Sequence, residues 1–395
     1  YIFGDYVGNG SGSGSIAINA PITVDGSSGA VTLDASAISD ISTSGVTFGI
    51  DAKLNFTAYN LASGLPTGSL NINGHAYSLY RTLAQLDNLD GDDATKISIT
   101  AGNTIISLGY LALVADIDAS GTTYYRSLLG RDWDNRIDSI QFDGLGHKIS
   151  NLHMDVYTPV GGVSPPSMYA NGLFGVMTEY SGRSTLANLG LSNVNMTLSG
   201  RSGALIGEQQ GGIIVSACYT TGVVYGTGNN YEVGGLIGRN YSTIQNSWSS
   251  VTLQHLNGNG ILGGFVAIQK GGSIINGFAF GSVTSTDSSS PVGGFAGEIA
   301  SGTITNSFAT GYVSNGGNGA TSTNMFGFAP ENAGISNSWW DSSTTGVTGS
   351  VTIEGNLVNA GTARATSSAL GSLNGLSDSA WSVAPGQYPY LKYLF

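Results

Sequence analysis

Four carboxylates fall within seven residues, at Asp87, Asp90, Asp92 and Asp93. Oxygen ligands at that density suit Ca²⁺, which takes about six to eight of them. The spacing is not that of an EF-hand loop, and no glycine-aspartate nonapeptide repeat accompanies it. A solvated helix end running into a loop is the plainer reading, so no metal or other cofactor is assigned. A second charged cluster reads Arg131-Asp132-Trp133-Asp134-Asn135-Arg136-Ile137-Asp138. Paired carboxylates beside a tryptophan are what a glycosidase cleft requires, and Asp132, Asp134 and Arg136 are the first candidates for that work. Such a cleft needs further acids or bases on neighbouring strands. The second half of the chain offers Glu208, Glu232 and Glu298, far apart in sequence. Local Arg–Asp pairing explains the cluster without catalysis. A sugar-contacting loop is the other account, since Trp and Tyr stack on sugar faces.

The histidines, His75, His147, His153 and His255, follow no metal-ligand spacing, and HExxH and GxSxG are both absent. Asp143 with His147 and His153 is the one grouping that invites a metal, and structural roles are the expectation for all four. Cys218 is the only cysteine, so no internal disulfide forms. It is placed in the slot of Trp248, Phe278 and Phe308, as a buried and inert thiol.

The elements that must carry these residues are set by glycine and by repetition. The chain has 395 residues, of which 61 are glycine and 10% are charged. Ser, Thr, Ile, Val and Asn dominate the rest, a mixture suited to strands and turns and poor for helices. An apolar fraction of 41% is enough to fill a core. The formal charge of −12 repels phosphate backbones, which argues against nucleic acid as a partner. No run of about 18 apolar residues is present for a membrane span. The chain begins at Tyr1 with no signal peptide ahead of it, as a mature or excised piece would.

Between Asn171 and Gly349 one phrase recurs six times. Clear copies are VGGLIGRNYSTIQNSWSSVTL from Val233, LGGFVAIQKGGSIINGFAFGSVT from Leu262 and VGGFAGEIASGTITNSFATGYVS from Val292. Asn246, Asn276, Asn306 and Asn337 keep the beat at intervals of 30, 30 and 31. A period of this size marks a stacked, quasi-one-dimensional protein. Glycine at the bend lets the backbone take positive φ or lets rungs pack closely. Ile244, Ile274, Ile304 and Ile335 should form one inward apolar stack. Each Asn follows its Ile by two residues, so it faces inward too unless a bend intervenes, and stacked amides would form a ladder.

Upstream, short alternating runs between Ser15 and Asn60 read as rungs. Asn73-Gly74 marks a hairpin turn. Leu79, Leu83, Leu86 and Leu89 share one face of a helix that ends by Gly91. The resulting division is residues 1–63 as N-terminal rungs, 64–139 as an insertion with the helix and irregular loops, 140–349 as the repeat array and 350–395 as a capping segment. In that last segment Trp381, Tyr388, Tyr390, Tyr393 and Phe395 read as a lid over the final rung.

The repeats resemble GLUG motifs, and their setting resembles the filamentous-haemagglutinin-like exoproteins of two-partner secretion. The pieces that carry the resemblance occur in order: LNINGHAYSLYRTLAQLDNL, LALVADIDAS, FDGLGHKISNL, the GGLIG-type repeats, NSWWDSSTTG and the closing W-x6-YPYL. They cover roughly residues 15 to 395. The third glycine is lost at Ala267, and one copy degenerates to Asn324-Met325-Phe326-Gly327-Phe328. The resemblance implies an all-β right-handed parallel β-helix in a large secreted or surface adhesin, an outer-membrane secretion partner and no catalytic residues. With no match to that family's secretion domain or to a toxin domain, it implies an internal segment.

The expected function is therefore adhesion without enzymatic activity, by a stiff rod whose loops contact glycans, exopolysaccharide or a cell-surface protein. A polysaccharide lyase or hydrolase on the same fold and a passive spacer are the alternatives. Rung interiors are committed to packing, so contacts should come from segments that leave the repeat. The longest, Ser120 to Ile140, assigns Tyr124, Tyr125 and Trp133 as ligand contacts. A second, Thr158 to Tyr169, is stiffened by Pro165-Pro166. The pair Trp339-Trp340 is expected to pack.

Overall fold

In the computed structural model the repeats lie on one another as parallel strands, giving a β-solenoid of about ten turns with one short helix among the described residues. The structure describes residues 16–34, 46–49, 51–97, 105–160, 163, 169–229, 231–316, 324–330, 334–341, 344–347, 362–364, 381–382 and 390–391. One face is a six-stranded sheet of short strands, including Arg201–Gly203, Tyr231–Gly234, Gly260–Gly263, Val292–Gly293 and Met325–Phe326. Each pairs in parallel with its copy in the next repeat, as Val233 does with Leu262 and Leu262 with Val292. After the bend, Ile206–Ser216, Ile237–Asn240, Val266–Gln269 and Ala296–Ile299 stack in the same way. The TIxNSF strands do so too, and Ile244, Ile274 and Ile304 are fully buried in register, with Ile335 half-buried at the end of the column.

At the bend, the glycines serve close approach. None of the repeat's paired glycines has a positive φ. A Cβ on Gly234 would stand 1.9 Å from the Ile237 carbonyl oxygen and 2.7 Å from the Ala267 nitrogen, so backbone meets backbone across the corner. Ala267 occupies the third glycine's place and is itself buried.

Positive φ belongs to the asparagines. Asn246, Asn276, Asn306 and Asn337 have φ of 49, 56, 51 and 46°. Asn tolerates the left-handed region better than other side-chain-bearing residues. That corner breaks the strand's alternation, so the amides turn away from the core that Ile enters. The next residue, Ser, bridges rungs. Ser307 Oγ donates to the Thr305 carbonyl at 2.9 Å and accepts the Gly277 N–H at 3.0 Å. Ser247 and Ser338 repeat the pattern. The third residue stacks outside: Tyr219 on Trp248 at 4.8 Å, Trp248 on Phe278 at 5.5 Å and Phe278 on Phe308 at 5.2 Å, each nearly parallel. Trp339 continues this column, while Trp340 points into the core. Cys218 therefore belongs to the serine slot, opposite Ser247, one residue away from the aromatic slot expected for it; Tyr219 fills that slot.

The asparagine ladder is partial: Asn276 Nδ2 donates to Asn246 Oδ1 at 2.9 Å. A fully buried amide column forms elsewhere. Gln209 Nε2 donates to Asn240 Oδ1 at 2.5 Å, and Asn240 Nδ2 to Gln269 Oε1 at 2.7 Å.

The N-terminal strands form a second unit with its own apolar core. Ile16–Ile18, Ile22–Val24 and Ala30–Leu33 stack on Val46–Phe48, Leu54–Phe56 and Ser69–Ile72. A boundary at residue 63 thus cuts through this unit. A boundary at 139 also falls inside an element, because Ile106–Leu113 already pairs with Ile137–Asp143 as a solenoid strand. Leu111 and Leu113 enter the main core, while Ala112 and Val114 enter the second. The unit thus lies against the flank of the early rungs. The turn at Asn73-Gly74 has φ of 52 and 82° and joins Ser69–Ile72 to His75–Tyr80 as a hairpin. Leu79 sits in that hairpin. The helix is shorter, Leu83–Asp87, and opens on a capping box of Thr82 and Gln85.

Trp381 and Leu391 pair in a small antiparallel hairpin. Trp381 packs on Phe278 and Phe308 and donates Nε1–H to Asn276 Oδ1 at 3.2 Å. This part of the closing segment covers the flank of earlier rungs, while the final aromatic pair is joined by Thr362–Arg364. Tyr388, Tyr393 and Phe395 lie outside the described residues.

Candidate functional site

The carboxylate cluster is tied to arginines. Asp92 Oδ2 accepts Arg126 Nε at 2.6 Å and Arg131 Nη1 at 3.2 Å. All three side chains are at most 4% exposed. Arg126 also donates to the carbonyls of Lys96 and Asp93 at 2.5 and 2.6 Å. A guanidinium thus occupies the place expected of a cation. Asp87 and Asp90 are buried as well, Asp87 accepting the Ala94 N–H and Asp90 that of Asp92. Burial pushes their carboxyls up to about 7 and about 6 against those hydrogen bonds. Asp93 is held below the usual range, chiefly by the Thr95 hydroxyl. The solvated loop expected here is a buried clamp. Among the described residues no group of three or more His, Cys, Asp or Glu is placed to hold a metal ion.

The stretch from Arg131 to Asp138 does not assemble as a pair of catalytic carboxylates. Asp132 closes a turn by accepting the Asn135 N–H at 2.8 Å and lies 3.4 Å from Arg131. Asp134 is exposed. Arg136 holds the Trp133 carbonyl at 2.9 Å and lies 3.7 Å from Asp138. Of the three assigned contact residues, Tyr124 is a core residue, 5% exposed, on a strand paired to His153–Asp155. Its ring has no free face, which corrects its assignment. Tyr125 and Trp133 are half-buried. Trp133 meets Tyr169 edge-on at 5.9 Å, and Arg201 lies 4.1 Å over the Tyr169 ring. Pro165-Pro166 lies outside the described residues.

Glu208 and Glu232, far apart in the sequence, stand on adjacent rungs. Glu208 accepts Arg201 Nη1 at 2.7 Å, and Glu232 is paired with Arg239. Arg201 stacks on Glu232, and Glu208 on Arg239. The two pairs are reversed between rungs and form a square of alternating charge across the bend. Ile261 and Ile268 replace them in the next repeat, and Glu298 is bound by Lys270 at 3.1 Å.

The histidines do not converge. His147 sets Nε2 2.9 Å from the Leu54 carbonyl oxygen and Nδ1 3.1 Å from Asp116. Burial alone would raise the Asp116 carboxyl. Bonds from His147, Lys53 and the Lys148 N–H outweigh it and hold the group well below the usual range. Asp143 instead accepts Asn188 Nδ2 at 3.0 Å. His255 is buried against Ser285, His75 stacks on Tyr110, and His153 lies in a strand. The Cys218 thiol is buried and pushed up to about 12 by desolvation.

No protein-family model matches the chain. No curated protein matches it. Among solved structures, one described as a "putative immunoglobulin A1 protease" from Bacteroides ovatus aligns with a TM-score of 0.53 at 21% identity, covering 80% of this chain and 93% of that one. The two chains share a fold. At that identity the likeness extends to architecture alone.

Proposed function

We propose that the chain is a non-enzymatic β-solenoid segment of a secreted or surface adhesin, of the filamentous-haemagglutinin-like type carrying GLUG repeats. Its partners are glycans, exopolysaccharide or a cell-surface protein, and it is exported through an outer-membrane partner. The observation that carries the reading is the state of its charged side chains. The bend between the short-strand face and its neighbour, where outward side chains of two strands meet, is filled by Arg201–Glu208 and Glu232–Arg239. Asp92 is likewise closed off by Arg126 and Arg131. Acids consumed in pairing support a rod better than a hydrolase.

Hydrolysis is the competing reading, favoured by the description of the Bacteroides ovatus protein. One experiment separates the two. The purified chain is tested for retention on a panel of polysaccharides and bacterial or host cells, with cleavage of the same polysaccharides and of immunoglobulin A1 followed in parallel. Retention without cleavage is expected. Cleavage abolished by Asp132→Asn or Asp134→Asn overturns the adhesin reading. Trp133→Ala should weaken retention at an unchanged melting temperature if the Trp133–Tyr169 edge takes part, and a collapse in stability assigns that residue to packing.

A further inference from the structure

Two columns of the solenoid lapse at the same place. The outer aromatic column runs Trp339, Phe308, Phe278, Trp248 and Tyr219, and the next positions in register are Gly190 and Lys148. A Cβ on residue 190 would stand 2.3 Å from the Tyr219 ring, so the ring leans over the glycine. The corner asparagine column lapses beside it. Ala217 has φ 52° in line with Asn188 and Asn246, where φ is 56 and 49°. Alanine lacks the polar side chain that eases this conformation for asparagine, so the position keeps the strain without the amide. Between this gap and the docked N-terminal unit lies a cleft of about 130 Å³.

We propose that this cleft binds one neutral sugar residue at the end of a glycan. The proposal rests on the adhesin reading and gives it a site. The cleft is lined by Asp51, Lys148, Asn188, Ala217 and Tyr219. Asp51 and Lys148 have no ion-pair partner among the described residues, and the Tyr219 hydroxyl has no hydrogen bond there. Asn188 spends its amide N–H groups on Asp143 and Val46, which leaves its carbonyl oxygen as an acceptor. A carboxylate, an ammonium, a hydroxyl and an amide oxygen lining one cleft match the alternating donors and acceptors of a sugar. The charges select a neutral ligand. Lys53 is bound to Asp116, and Asp51 balances Lys148, so no net field draws an anion or a cation.

The test restores the residue of the repeat. Ala217→Asn fits the corner's φ and sends an amide into the cleft. Binding of methyl glycosides of glucose, galactose and their N-acetylamino forms is measured by ligand-observed NMR and calorimetry, with methyl glucuronide as the anionic control. The unmodified chain should bind at least one neutral glycoside. Ala217→Asn and Lys148→Met should each weaken that binding at least about tenfold. The melting temperature of Ala217→Asn should hold or rise. Absence of neutral-glycoside binding, preference for the glucuronide, or an Ala217→Asn chain that binds as before overturns the cleft. Polysaccharide retention that survives Ala217→Asn overturns the cleft and leaves the adhesin reading standing. Glycoside binding lost in Ala217→Asn, with no retention on any polymer or cell, supports the cleft and overturns the adhesin reading.

Discussion

Arg126 holds a buried carboxylate and two carbonyls, and its removal takes from Asp92 one of the two guanidiniums that bind it. Breaking a buried pair from one side typically costs about 3–5 kcal/mol, because the remaining charge stays desolvated. Arg126→Ala should lose stability of that order in urea denaturation, and Lys270→Ala, at the partly exposed pair with Glu298, about 1 kcal/mol or less. Equal losses would show that the clamp carries no special weight. Asp87 and Asp90 give a second outcome. Their folded pKa values, about 7 and about 6, exceed the ordinary 3.8. Between these limits the folded state holds more protons than the unfolded one, so stability falls as pH rises from about 4 to about 7. Melting temperatures across that interval should decline, and Asp87→Asn should flatten the decline. The sequence shows four acids close together. Their arginines lie 34 and 39 residues beyond Asp92, and nothing local announces the pairing. At that distance the acids alone read as a solvated loop, or at most as a cation site.

The repeat phrase is the part of the chain most open to reading, because each of its letters has one physical task. Its period gives the parallel stacking and its isoleucines the core column. The task of the Asn was legible only as a choice between an inward ladder and a bend, since strand alternation holds only until φ changes sign. The buried amide column was not legible at all. Its members read Gln209, Asn240 and Gln269 and then Ile299, so no single letter repeats. The bend glycines make a firm prediction. A methyl on residue 234 meets backbone atoms, which cannot rotate aside. Gly234→Ala should destabilise by about 1–3 kcal/mol, the usual cost of overpacking. The measurement is chemical denaturation beside Gly74→Ala, whose open position isolates the strain of positive φ. An unchanged midpoint for Gly234→Ala would show that the corner relaxes freely.

Among the described residues the main core and the N-terminal core meet along one strand, and that junction is hidden in the sequence because alternation along Leu111 to Val114 reads as nearly continuous hydrophobicity. A strand buried on both faces looks like this, and the pattern does not say what covers the second face. The docked unit is held by Leu54 N–H to the Leu145 carbonyl at 3.2 Å, Phe56 N–H to the Val114 carbonyl at 3.2 Å, and the His147–Asp116–Lys53 chain. His147→Ala removes the side chain that meets both partners. Amide exchange should then quicken across residues 46–56 and stay slow across residues 231–309, and uniform acceleration would mean the two cores open as one. The reversed ion pairs of the bend bear on a different hazard. Near-identical copies invite a folding chain to lay a strand on the wrong neighbour. A chain that skipped one copy would set Arg201 against Ile261 and Glu208 against Ile268, forfeiting the opposite charges that Glu232 and Arg239 provide. Reversal of sign at this one junction thus works as an address, telling these strands which of several similar neighbours is their own.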